Sequence, residues 1–173
     1  MQASKYVALE ALPDGRRIEI RALRPEDRAG LDEIVSRSSA ESLYRRFFAV
    51  KRHFTDREID ALFANIDFVT HVVVVAQAEE QGRRVIVGGG RYVVVEPGRA
   101  EVAFFVIDSY QGQGLGGALM RHITAIARQA GLKDLTAEVL PANAPMLKVF
   151  EKSGLPMRTT RGAGVVHVEL RLT

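Results

Sequence analysis

Residues 100–117, AEVAFFVIDSYQGQGLGG, decide the fold of this 173-residue chain. They begin with an apolar run that predicts a strand, and a glycine-rich turn follows the strand. Beyond the turn, Leu115, Leu119 and Ile123 recur at helical spacing, so the turn opens a helix, which Gly131 ends. Backbone N–H groups and a partial positive charge meet at such a turn, and together they bind phosphate groups.

Two glycine motifs overlap in this turn, and they predict different ligands. Gly112, Gly114 and Gly117 fit the G-x-G-x-x-G fingerprint of proteins that bind NAD or FAD. This interpretation is weak because residues 108–111 separate the strand from the first glycine. The chain beyond Gly117 is also too short for further β-α-β units, and the acidic residue near the expected offset, Asp134, precedes the next strand.

The competing motif in the same turn is Q-x-x-G-x-G, formed by Gln111, Gly114 and Gly116. It resembles motif A of the GNAT acetyltransferases, in which Gln or Arg precedes two residues, Gly, one residue, and Gly or Ala. The residues before it, VIDSY at 106–110, are similar to the strand and bulge that lead into motif A in that family. The resemblance implies a turn that binds the pyrophosphate of acetyl-CoA.

A second motif follows at the spacing found in that family. NAPML at 143–147 and FEKSGL at 150–155 resemble motif B, an asparagine followed by a helix that ends in Glu-Lys-x-Gly-Phe. LRPED at 23–27, SAESLYRRFF at 39–48 and AEVA at 100–103 are similar to bacterial protein-lysine acetyltransferases, which modify acyl-CoA synthetases. Many of those enzymes carry an additional regulatory domain, for which this chain has no room, so we expect any regulation to differ.

The pattern along the chain predicts a single α/β domain, residues 1–173, with a mixed, mostly antiparallel central sheet and helices on both faces. This is the fold that the GNAT resemblance implies. Strands are predicted at 17–22, 68–78, 84–96, 100–107, 135–139, 156–160 and 165–172, and helices from 24, from 39, and at 56–63, 114–130 and 145–153. Thr55 and Glu58 have the spacing of a capping box. The glycines at 88–90 interrupt a strand and predict a bulge or a close approach of neighbouring backbones.

The resemblance implies that acetyl-CoA is the cosubstrate and that no metal takes part. Backbone N–H groups of the turn would hold the pyrophosphate. The end of the strand, Val106 and Ile107, would lie along the pantetheine arm and offer an N–H to the thioester carbonyl. Asn143 would either contact the pantetheine or cap the following helix. The predicted cofactor-binding residues are Val106, Ile107, Gln111, Gly112, Gln113, Gly114, Leu115, Gly116 and Asn143.

Glu101 is the candidate general base. A lysine amine has a pKa of about 10.4, so it is protonated at neutral pH and must lose a proton before it attacks. Glu101 matches the glutamate that acts as base in the protein-acetylating group; alternatively, it is an exposed strand residue or the partner of an arginine. Phe150 occupies the position where many family members have a tyrosine that protonates the leaving thiolate. Solvent or another residue would replace that tyrosine, and Tyr110 is too close to the phosphate turn.

Composition excludes several other classes of protein. The net charge of +3 is too small for a nucleic-acid-binding protein, and the lack of cysteine excludes disulfides and thiolate metal sites. The longest aliphatic run, residues 72–76, is too short to cross a bilayer, and no secretion signal is visible, so we expect a cytoplasmic protein. Ser109 lacks the Gly-x-Ser-x-Gly context of a serine nucleophile. None of the four histidines, His53, His71, His122 and His167, has the spacing of metal ligands.

The basic residues between 45 and 57 allow two interpretations, a solvated helical face or a surface that guides an acidic partner or the CoA phosphates. They are Arg45, Arg46, Lys51, Arg52 and Arg57. The aromatic residues of the same region, Phe47, Phe48 and Phe54, are predicted to lie in the core. Because the early helices wall the acceptor site in the family, Tyr44 or Arg45 would be the alternative substrate contacts.

Three functions remain open. The leading hypothesis is N-acetyl transfer from acetyl-CoA to a protein lysine, for example in an acyl-CoA synthetase. The second is acetylation of a small-molecule amine on the same scaffold, since fold does not determine substrate. The third is a non-catalytic domain that senses acyl-CoA, which the phenylalanine at position 150 favours. None involves nucleic acid or a membrane, and the oligomeric state does not follow from the sequence.

Overall fold

The computed structural model describes residues 2–47 and 54–173, and its frame is one eight-stranded sheet. The strands are β1 (Val7–Ala11), β2 (Arg17–Ala22), β3 (His71–Glu80), β4 (Arg83–Glu96), β5 (Arg99–Val106), β6 (Asp134–Val139), β7 (Met157–Gly162) and β8 (Val165–Arg171). The helices are α1 (Leu31–Ser36), α2 (Ala40–Phe47), α3 (Asp56–Asn65), α4 (Leu115–Gln129) and α5 (Ala144–Glu151), and short 3-10 turns are formed by Ala3–Lys5, Pro25–Gly30 and Asp108–Tyr110. The strand order is β1-β2-β3-β4-β5-β6-β8-β7, and neighbours are antiparallel except β5 and β6, which are parallel. The predicted mixed, mostly antiparallel sheet is confirmed.

The predicted helices and strands occur with ends that differ by a few residues, and the predicted helix from residue 24 begins as a 3-10 turn. The predicted capping box is confirmed, because Thr55 Oγ1 accepts the Glu58 N–H at 3.1 Å and Glu58 Oε1 accepts the Thr55 N–H at 3.2 Å. The sequence pattern missed β1. Its Val7 and Leu9 are 53% and 79% exposed, so the apolar residues of this edge strand do not mark a buried face.

The alternation of β3 separates the two faces of the sheet. Val72 and Val74 belong to the larger apolar core, to which α4 and α5 contribute, whereas Val73 and Val75 belong to a smaller cluster with residues of α1 and α3. Successive side chains of a strand point to opposite faces, so helices lie on both sides of the sheet. Across residues 2–47 and 54–173, no helix is long and apolar enough to cross a membrane.

The glycines at 88–90 bring β4 close to both of its neighbours. The pairing of β3 with β4 shifts between Ala76 and Gln77, which marks a bulge. A Cβ atom at Gly88 would lie 2.8 Å from the carbonyl oxygen of Phe105, and one at Gly89 would lie 2.9 Å from a carbonyl oxygen of β3. The sequence predicted either a bulge or a close backbone approach at these glycines, and the structure has both.

We predict that Gly88→Ala destabilises the protein by about 1–3 kcal/mol, because the new methyl group meets backbone that has no room to move. Gly162→Ala is the matched control, since a Cβ at this strand glycine has nothing within 4 Å. The control should change the free energy of unfolding by less than about 0.5 kcal/mol. Urea unfolding measures both values, and equal effects at the two positions would contradict the close approach of β4 and β5.

Candidate active site

A cleft opens where β5 and β6 separate. Their parallel pairing runs from Arg99–Asp134 to Glu101–Thr136 and then stops, although β5 continues to Val106. The cleft beside the diverging strands has a volume of about 1190 Å³. Residues of α4 and α5 line it together with both strands and the glycine-rich turn. A ligand in this cleft would therefore lie in the middle of the sheet, between two strands.

Beyond Glu101, the edge of β5 that faces the cleft has no strand partner among the described residues. Ile107 N–H donates to the carbonyl oxygen of Val87 at 3.0 Å, so the odd-numbered residues of β5 pair with β4. The same alternation places the N–H groups of Phe104 and Val106 on the cleft side. Of the two residues expected to offer an N–H to a thioester, Ile107 is excluded because its N–H is already bonded. Val106 keeps a free donor there.

The glycine-rich turn presents a row of N–H groups to the same cleft. Gly112 and Gly114 adopt φ values of 73° and 84°, which favour glycine. Within the described part of the chain, the N–H groups of Gly112, Gln113 and Gly114 have no hydrogen-bond acceptor. Those of residues 115–117 form the first turn of α4, whose first internal bond is donated by Ala118. A Cβ at Gly112 or Gly114 would meet nothing within 4 Å, so the turn has room for a pyrophosphate.

Gln111 ties the turn to the strand before it. Its Nε2 donates to the carbonyl oxygen of Val106 at 2.9 Å and to Ser42 Oγ at 3.1 Å. Its backbone N–H donates to the carbonyl oxygen of Asp108 at 3.1 Å. The side chain of this motif residue thus holds the turn, β5 and α2 together, and the backbone of the following residues is left to face a ligand.

A charged network anchors the 3-10 turn that leads into the glycines. The hydroxyl of the buried Tyr110 donates to Glu80 Oε2 at 2.7 Å, and Arg37 binds the same carboxylate at 2.7 and 3.0 Å. The Arg16 guanidinium lies 4.0 Å from the centre of the Tyr110 ring. Burial and the hydrogen bond to Glu80 raise the pKa of Tyr110. Sequence reasoning missed this network, because its residues are far apart in the chain and no local motif connects them.

Glu101 lies where the cleft begins. It pairs with Thr136 in the last register position that β5 shares with β6, and the next residue, Val102, already lines the cleft. Its side chain is exposed on the sheet face opposite Phe104. Among the described residues, Glu101 makes no hydrogen bond or ion pair, so its carboxylate is available to a substrate.

The helix α2 contributes Ser42, Arg45 and Arg46 to the cleft wall. Arg45 is paired with Glu41 at 2.6 Å, whereas Arg46 has no such partner among the described residues. Tyr44 is 49% exposed and does not line the cleft. Of the two substrate contacts considered for this helix, the structure therefore brings Arg45 to the cleft.

The motif B residues line the far wall of the cleft. Asn143 caps α5, since its Oδ1 accepts the Met146 N–H at 3.3 Å, and it also borders the cleft. Phe150 is 1% exposed, and its ring centre lies 6.1 Å from that of Phe104. Phe150 thus packs between the strand and helix layers. Thr124, which sequence reasoning missed, also lines the cleft, and its buried hydroxyl has no partner among the described residues.

The other candidates considered from the sequence lie apart from this cleft. His122 Nε2 is 2.6 Å from Glu10 Oε1, and its Nδ1 bonds to the Tyr6 hydroxyl. In the part of the chain that the structure describes, no His, Cys, Asp or Glu residues are grouped to hold a metal ion. Phe47 and Phe54 are half-buried and pack on each other at 5.8 Å, so they are not fully in the core as expected. The residues of these predictions that lie outside the described ranges are Phe48, Lys51, Arg52 and His53.

Comparisons with known proteins agree with this geometry. A family model described as the acetyltransferase (GNAT) family matches residues 37–155. Acetyltransferase PA5475 of Pseudomonas aeruginosa is 34% identical over 139 residues, which cover 80% of this chain and 74% of that protein. Acetyltransferase Pat of Mycolicibacterium smegmatis is 35% identical over 134 residues, or 76% of this chain but only 39% of that protein. The crystal structure of the GNAT domain of S. lividans PAT has a TM-score of 0.84 at 34% identity, with 95% of this chain and 96% of that chain covered.

We predict that Gly114→Ala weakens acetyl-CoA binding about tenfold, because the left-handed backbone is strained and the N–H groups of the turn are displaced. Gly131→Ala is the matched control. It lies beyond the other end of α4 at the same φ of 84° and also has nothing within 4 Å of a Cβ. Both changes should cost about 1 kcal/mol of stability, but only Gly114→Ala should raise the dissociation constant measured by calorimetry. An unchanged constant would exclude the turn as the pyrophosphate site.

Proposed function

Because this chain belongs to the acetyltransferase (GNAT) family and acetyl-CoA is its acetyl donor, we propose that it acetylates the side-chain amine of a protein lysine. The observation that supports this acceptor most directly is the position of Glu101. Its carboxylate, which has no partner among the described residues, is exposed on the sheet where the cleft begins, so a lysine carried on another protein would have access to it. The resemblance of residues 23–27, 39–48 and 100–103 to bacterial protein-lysine acetyltransferases points the same way.

The binding roles follow from the free donors of the cleft. Backbone N–H groups from Gly112 to Gly116 would hold the pyrophosphate, aided by the positive end of α4. The N–H of Val106 or Phe104 would donate to the thioester carbonyl, where negative charge develops as the amine attacks. Gln111 would keep the strand and the turn at the right separation through its bonds to Val106 and Ser42.

The proton steps use Glu101 and water. The acceptor ammonium gives one proton to Glu101, directly or through a water molecule, and the neutral amine attacks the thioester carbon. The C–N bond forms, the C–S bond breaks, and the nitrogen then gives its second proton to solvent. The leaving thiolate takes a proton from solvent, because Phe150 has no proton to give and the Tyr110 hydroxyl is bonded to Glu80.

We predict that Glu101→Gln lowers kcat by about 10²–10⁴-fold and leaves the acetyl-CoA dissociation constant unchanged, since only the proton acceptor is removed. The assay is thiol release with a purified acyl-CoA synthetase and with a panel of small amines. Glu79→Gln is the control, because Glu79 is also an exposed strand glutamate but lies on β3, two strands away from β5, and does not line the cleft. The control should retain full activity.

Three other outcomes would contradict parts of this proposal. Full activity of Glu101→Gln would exclude Glu101 as the base. Turnover with small amines alone would exclude a protein lysine as the acceptor. Tight acetyl-CoA binding without turnover on any acceptor would instead support a non-catalytic acyl-CoA sensor, which the phenylalanine at position 150 favours.

A further inference from the structure

Two arginines lie beside Glu101 on the same side of the sheet. Arg91 of β4 pairs with Ala103, and Glu101 is two residues before Ala103 on β5, so Arg91 and Glu101 are diagonal neighbours on one face. Arg46 of α2 lines the cleft, as Ala103 and Phe105 do, and it is close enough to Arg91 and Glu101 for their charges to act on it. Both arginines are half-buried. The sheet face around Glu101, where the cleft begins, therefore has two positive groups and one negative group.

These two arginines differ from the other arginines that are at least half-buried in residues 2–47 and 54–173. Each of the others has a carboxylate within 4 Å: Arg16 with Asp14, Arg21 with Asp27, Arg37 with Glu80, Arg45 with Glu41 and Arg99 with Glu96. Arg46 and Arg91 have none among the described residues. Residues 48–53, FAVKRH, contain no acidic side chain that could supply one. Among the half-buried arginines of residues 2–47 and 54–173, a carboxylate from this chain is thus missing only at Arg46 and Arg91.

The missing partner has an electrostatic consequence. Burial and the nearby charge of Arg91 lower the pKa of Arg46 to about 10, and Glu101 opposes this effect. Burial and Arg91 also lower the pKa of His71, which lies on the same face and stays neutral at pH 7. When Glu101 takes up a proton from the acceptor, its negative charge disappears and both arginines remain positive. An anion bound here would offset that repulsion.

We propose that Arg46 and Arg91 bind an anionic group of the acceptor, a carboxylate close to the amine that is acetylated. This inference rests on the proposed function and adds the acceptor's charge pattern to it. The amine would approach Glu101 while the carboxylate meets the guanidinium groups, which match its planar, bidentate geometry. The CoA phosphates are not the intended ligand, because the glycine turn that receives them lies beyond the other end of β5 and Arg91 does not line the cleft.

The carboxylate has two possible sources, and the test separates them. One is an aspartate or glutamate next to the target lysine in a protein, and the other is the α-carboxylate of a free amino acid. Lysine peptides with Asp or Asn at the two positions on either side of the lysine test the first source. Free lysine and lysinamide test the second. In the wild-type enzyme, kcat/KM should be about tenfold higher for the acceptor with the carboxylate than for its neutral counterpart, either in the peptide pair or in the pair of free lysine and lysinamide.

Variants of Arg46 and Arg91 test whether these two arginines cause the preference for an acidic acceptor. Arg46→Gln with Arg91→Gln should abolish the preference for the acidic acceptor, and Arg46→Lys with Arg91→Lys should keep part of it because the charge remains. Arg84→Gln is the control, since Arg84 is an exposed arginine on the same strand, and it should retain the full preference. Thermal unfolding and the acetyl-CoA dissociation constant, measured for every variant, separate loss of selectivity from loss of folding or of cosubstrate binding.

The outcomes distinguish this inference from the proposed function. Equal kcat/KM for acidic and neutral acceptors in the wild-type enzyme would overturn the anion site but leave acetyl transfer intact. A preference that survives in the double glutamine variant would overturn the assignment to Arg46 and Arg91. If no acceptor of either charge is acetylated, the proposed function fails, and the acceptor site fails with it.

Discussion

The separation of β5 from β6 is the constraint on which the rest of the structure depends. The two parallel strands share hydrogen bonds only from Arg99–Asp134 to Glu101–Thr136, after which the cleft-side edge of β5 has no strand partner. Buried backbone groups in proteins are almost always paired, so such an edge inside a sheet needs water or a ligand to satisfy it. The N–H groups of Phe104 and Val106, which have no strand partner among the described residues, are therefore available to an extended molecule along the strand.

Several features hold the two strands apart and keep the cleft in shape. Phe104 and Phe150 both line the cleft and pack with their ring centres 6.1 Å apart. Gly116 lets α4 approach α5, since a Cβ there would lie 3.2 Å from Val149. On the other edge of β5, the glycines at 88–90 allow β4 to pack closely. The turn at the end of β5 is fixed by Gln111. The free donors of the turn and of the strand edge thus have set positions before a ligand binds, which reduces the entropy lost on binding.

Local patterns in the sequence predicted the parts of the molecule that local physics determines. The glycine-rich turn at 111–116, the helix after it and the capping box at Thr55 depend on neighbouring residues, and the structure has them. Features that depend on the register between strands could not be read from the sequence. The register of β4 and β5 decides that Ile107 has a bonded N–H while Val106 has a free one. In the same way, only the folded chain shows that Arg91 has no carboxylate partner among the described residues.

Amide hydrogen exchange followed by NMR, with and without acetyl-CoA, tests the central claim most directly. The N–H groups of Gly112, Gln113 and Gly114 have no acceptor within the described chain, so they should exchange rapidly in the free protein. Acetyl-CoA should slow their exchange together with that of Phe104 and Val106, and should leave Ile107 unchanged because its N–H is already bonded. Binding that protects another surface and leaves these amides exchanging rapidly would contradict the account.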